Sequence, residues 1–128
     1  PQTAVLTVHV DSDTTHALTV EIANTRRLRA IGLAGRDHLP ADHGMLFAWP
    51  GQDDAPRFFW MAGTTIPLSI AFIDASGTIT QIEDMDPATP DKRYISLYPT
   101  RYALETYQGW FTDRGILPGA TITLEAAP

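Results

Sequence analysis

The 128-residue chain contains no cysteine, which excludes thiol nucleophiles, Cys-ligated zinc and disulfides. That absence fits a reducing and an oxidising compartment equally. Positive charge is also scarce: nine Lys and Arg stand against fifteen Asp and Glu, for a formal charge of −6. The field of so acidic a protein repels phosphate backbones and anionic lipid, so nucleic acid is not an expected partner. Four of the nine basic residues nevertheless fall in TRRLRAIGLAGR, residues 25–36, read as a solvated helix face or as an anion-binding patch. No apolar run approaches the ~18 residues that a membrane helix requires, and there is no repeat or low-complexity tract.

What is present is enough for one packed domain over residues 1–128, with 44% of residues hydrophobic and 19% charged. β-branched runs with polar alternation predict strands near 4–10 and 15–23, joined by DSDT as an opening hairpin. Thr25 or Asn24 then offers an N-cap and Gly35 a stop for a short helix near 26–33. Further strands are predicted near 44–49, 57–61, 68–74, 78–85, 102–107 and 120–125, with GQDDAP a surface loop and GWFTDRGI one or two helical turns. Many short strands with two short helical patches imply a mostly β (α+β) domain. Its expected form is a small barrel-like or strongly curled, antiparallel-rich sheet.

Chemistry is thinly marked. The serines at 12, 69, 76 and 96 sit in no Gly-x-Ser-x-Gly elbow, and the single lysine, Lys92, lies in a Pro-flanked loop. The histidines show no metal-ligand spacing; His38, Asp42 and His43 are the best grouping, read as a plain loop, so neither metal nor cofactor is expected. Among the carboxylates, Glu105 stands out within an otherwise apolar strand, as an outward residue, a partner for an arginine such as Arg36, or a buried charge at a site. Phe58, Phe59, Trp60 and Met61 cannot all face one core, because successive strand side chains point to opposite faces. Part of that stretch must cover a second apolar surface.

Taken in order, GLAGR at 32–36, HGMLFAWP at 43–50, FFWMAGTTIPLSIAFID at 58–74, YALE at 102–105 and GW at 109–110 resemble the domain of unknown function 192 family, also called uncharacterised protein family 0127. The likeness spans residues 18–125. It implies a compact mostly β fold, no established reaction, and an extracytoplasmic setting with a removed N-terminal signal or anchor; a cytoplasmic location is the alternative. The chain departs from the family at Ala34, Ala62, Gly63 and Ser69, where the family shows Met, Lys, Asn and Asp.

Two functions follow as expectations. The first is a soluble periplasmic or secreted binding or interaction module with an apolar groove near the Trp-Met-x-x-Thr motif. Its candidate residues are Trp60, Met61, Thr64, Arg36 and Glu105, and its partner is a small molecule, glycan or envelope protein. With charged groups lost at 62, 63 and 69, binding there is expected to depend little on salt. The second is a small hydrolase-like enzyme using Glu105 and Asp84 as paired carboxylates. The residues favour binding over catalysis.

Overall fold

A computed structural model describes residues 2–51 and 55–126; the middle of the GQDDAP loop lies outside them. The chain opens with β1 (Thr3–His9) and β2 (Thr15–Ala23), an antiparallel hairpin. Its turn is fixed by Asp11, whose Oδ1 accepts from the backbone N–H groups of Asp13 and Thr14 at 2.8 and 2.9 Å. Helix α1 (Arg26–Ile31) begins at Thr25, whose Oγ1 accepts from Leu28 N at 3.1 Å, and ends at Gly32 with φ 50°. This short crossover returns the chain to β3 (His43–Ala48), which pairs parallel to β2. A single parallel pair thus occurs in a sheet expected to be antiparallel-rich.

A two-residue strand, β4 (Phe58–Phe59), pairs with β7 (Tyr94–Ile95) in a separate ribbon. The hairpin of β5 (Leu68–Ile73) and β6 (Ile79–Met85) falls where the sequence predicts it, its turn held by Asp74 Oδ1 on the N–H groups of Ser76 and Thr78. After β7 come β8 (Tyr102–Tyr107), α2 (Trp110–Asp113) and β9 (Thr121–Ala126). Among the described residues seven strands form one sheet in the order β6-β5-β8-β3-β2-β1-β9, and it curls into a half-barrel.

The curled sheet has two apolar faces. Leu46, Leu104 and Ala71 lie side by side across β3, β8 and β5, and with Leu6, Val20 and Trp110 they fill the concave interior under α2. One residue along, Phe47, Ala103 and Phe72 point the other way, into a second core closed by α1 and the segment around Phe59 and Met61. Period-two alternation on three adjacent strands therefore serves two cores at once.

β5 is buried at every position, and Phe72 is fully enclosed 6.0 Å from the Phe59 ring. Phe72→Ala is expected to cost about 3–5 kcal/mol through lost contacts and a residual cavity, read as a lowered urea midpoint. An unchanged midpoint would show that the second core carries little of the stability.

Candidate functional site

A cavity of about 490 Å³ opens between α1, the end of β3 and β4. Its floor is the sheet, through Phe47 and Glu105, and its outer wall is the Phe58–Thr64 segment. Alternation along that segment divides the aromatic cluster: Phe59 turns inward, edge-on to Phe47 at a ring separation of 4.9 Å, while Met61 is 1% exposed in the second core. Phe58 and Trp60 turn outward and rim the cavity, Trp60 being 50% exposed.

The two stretches that mark the sequence, GLAGR and GTT, are brought together as one wall. Gly35 N donates to Gly63 O at 3.0 Å, and Thr65 Oγ1 donates to Arg36 O at 3.4 Å. Both glycines have positive φ, 80° and 75°, which lets the two turns face each other, with the Ala34 methyl close against Gly63.

Glu105 is the chemically distinctive group. It is paired in register with Met45 on β3 and Ile70 on β5, so its neighbours along the sheet are apolar. Only 5% of it is exposed, and among the described residues no side chain or backbone group hydrogen-bonds its carboxyl. Burial pushes its pKa up to about 8. At neutral pH it is a protonated acid, able both to donate and to accept a hydrogen bond.

Trp60, Thr64 and Glu105 therefore line one cavity. Met61 and Arg36 stand apart from it. The Arg36 guanidinium donates to both Glu21 oxygens, Nη2 to Oε1 at 2.8 Å and Nη1 to Oε2, beside a separate recess of about 80 Å³. That hydrogen bonding holds Glu21 below the usual carboxylate range. Arg36 is thus the partner of Glu21 and not of Glu105. Asp84 lies in register with Ser69, one residue along from the Ile70 that faces Glu105, so the two carboxylates sit on opposite faces of the sheet. Asp84 Oδ1 accepts from Ser69 Oγ at 2.7 Å. Asp42, grouped in sequence with His38 and His43, is occupied by Trp110 Nε1 and Arg114 Nη2.

The lining also includes Arg26 and Arg29, from the basic stretch read as a helix face or an anion-binding patch, and Arg57, which motif reading passed over. Arg29 and Arg57 both approach the Trp49 ring, 5.5 and 4.4 Å from its centroid. Their signal in the sequence was the basic cluster of residues 25–36, but Arg57 comes from the far side of the cavity and no local pattern links it to α1.

In comparison with solved structures, the chain is similar to a protein from Sinorhizobium meliloti 1021 that is provisionally described as a transcription regulator. The two share 34% identity with a TM-score of 0.89 over 95% of this chain and 93% of that one. It is similar also to a protein of unknown function from Novosphingobium aromaticivorans DSM 12444, at 28% identity and a TM-score of 0.84, over 93% and 83% of the two chains. No curated protein matches it. The sequence model of the domain of unknown function 192 family, described as Uncharacterized ACR, matches residues 7–124, and the chain belongs to that family.

Proposed function

We propose that this protein is a binding module that takes a small molecule into the cavity over Glu105. The observation that carries the reading is the carboxyl of a nearly buried residue, with no hydrogen-bond partner among the described residues, facing open space of a size that suits a drug-sized ligand. Buried polar groups are ordinarily satisfied, and a ligand entering this cavity completes the missing hydrogen bond. Walls of Phe47, Phe59, Trp49 and Trp60 supply apolar contact around that single polar point.

Paired-carboxylate hydrolysis has less support, since the sheet separates Glu105 from Asp84. The description of the Sinorhizobium protein as a transcription regulator does not extend readily to DNA contact here. This chain is acidic, and among the described residues its helices span six and four residues, short for reading a major groove. No helix among the described residues is long and apolar enough to cross a membrane. An extracytoplasmic setting forms part of this reading and rests on the family resemblance.

Two measurements test it. Wild type is expected to bind the neutral fluorophore N-phenyl-1-naphthylamine, while Ala62→Trp, which fills the cavity, abolishes binding. Trp60→Ala is expected to weaken it with a melting temperature within a few degrees of wild type, since half of the indole already meets water. Failure of the wild type to bind either this dye or its sulfonated analogue, 8-anilinonaphthalene-1-sulfonate, would defeat the proposal.

The second measurement concerns the proton on Glu105. Its folded-state value of about 8 exceeds the ordinary 4.5, so the folded chain holds the extra proton between those values. Stability contributed by this group is therefore intact below about 4.5 and falls, by about 1.4 kcal/mol per pH unit, as pH rises toward 8. Glu105→Gln cannot ionise and is expected to remove this slope, so that between pH 5 and 7 the variant gains on wild type by on the order of 3 kcal/mol. Urea titrations of both proteins between pH 5 and 8 decide the point; parallel profiles would mean that the carboxyl is solvated.

A further inference from the structure

We propose that the ligand is an amphipathic anion, its acidic head held at the cavity mouth by Arg26 and Arg29 and its apolar body lying along the aromatic walls toward Glu105. This rests on the binding reading above and specifies its chemistry.

Charge is distributed very unevenly in this acidic protein. Among the described residues, three of its nine basic residues line one cavity, and the single carboxyl in that lining is Glu105. Because Glu105 is protonated at neutral pH, it does not neutralise Arg26 and Arg29. The mouth is cationic, the walls are apolar and the floor is neutral but able to hydrogen-bond.

Arg26 and Arg29, two of the three arginines of α1, are spaced three residues apart, which brings them to one side of the helix. Arg29 Nη1 donates to Ala48 O at 2.8 Å and its guanidinium rests against Trp49, so it is held in place with donors to spare. Neither Arg26 nor Arg29 has a carboxylate partner among the described residues. Burial, and then the nearby charge of Arg26, lower the pKa of Arg29. An arginine does not shed its proton in response, so the repulsion between the two remains in the free protein. A carboxylate, phosphate or sulfonate placed between them relieves it and accepts charge-assisted hydrogen bonds from both.

The opposite orientation fails on the same grounds. A cationic head is repelled at the mouth, and an anionic head at the apolar floor would be desolvated with the Glu105 hydroxyl as its donor, away from the charges of Arg26 and Arg29 at the mouth. With the head at the mouth, the far end of the ligand needs only a neutral hydroxyl, carbonyl or amide opposite Glu105.

The test compares two fluorophores with the same anilinonaphthalene body. One is 8-anilinonaphthalene-1-sulfonate; the other, N-phenyl-1-naphthylamine, lacks the sulfonate. Wild type is expected to bind the sulfonate about tenfold more tightly, with an advantage that shrinks as sodium chloride is raised. Arg26→Gln, at an exposed position, is expected to weaken sulfonate binding about fivefold or more and to leave the neutral probe within about twofold. Arg26→Lys, which keeps the charge, should retain most of the affinity. Ala62→Trp should abolish binding of both probes, whereas dye adsorbed on the outer face of the β4–β7 ribbon would persist. If the neutral probe binds as tightly as the sulfonate, or Arg26→Gln weakens both equally, the anion assignment is overturned and the binding reading stands. If neither probe binds the wild type, or Ala62→Trp affects neither, both fall.

Discussion

The backbone ladder that seats β8 between β3 and β5 is the constraint on which the rest of the molecule depends. It joins the β5–β6 hairpin to the other four strands of the sheet, and its alternation sends Leu104 into the concave core and Glu105 out toward the cavity. Gly44 makes the fit possible. A Cβ at that position would stand 2.5 Å from the backbone oxygen of Glu105, so β3 lies this close to β8 only because its first buried residue has no side chain. Any bulkier residue would push β3 and β8 apart beside the cavity floor.

Much of this architecture was legible because strand alternation and turn chemistry are local. The DSDT turn, the Thr25 cap, the 68–86 hairpin and the helical turn at GWFTDRGI need only neighbouring residues to be read, and the structure has them at those places. Strand β7 was missed, since two residues carry no periodicity and Tyr94 and Ile95 are extended by pairing with β4. The parallel pairing of β2 with β3 was equally invisible, because a six-residue helix is a weak sign of a crossover.

At the cavity the division is sharper. Alternation over 58–61 correctly required two apolar surfaces, and the structure assigns Phe59 and Met61 to the core side and Phe58 and Trp60 to the rim. Which parity faced the core depended on pairing with a strand more than thirty residues away. Arg36 was taken from its motif, yet the carboxylate within its reach is Glu21, two strands from Glu105 across Met45. The expectation of weak salt dependence followed from residues 62–69 alone; the charges that line the cavity come from α1 and from Arg57. Charge lost from the best-marked motif is thus accompanied by charge supplied across space.

The pairing of β1 with β9 sets Ala4 opposite Ala126 and Thr7 opposite Thr123. Contacts so far apart along the chain form late, after their long loop has been closed at an entropic cost. The two hairpins, β1–β2 and β5–β6, are local and can nucleate early, but neither contains Glu105. Assembly of the cavity floor waits on β8, and sealing of the β1 edge waits on β9. This places the protein among the slow, topology-limited folders, in which an unsealed edge strand is exposed to neighbouring chains during synthesis.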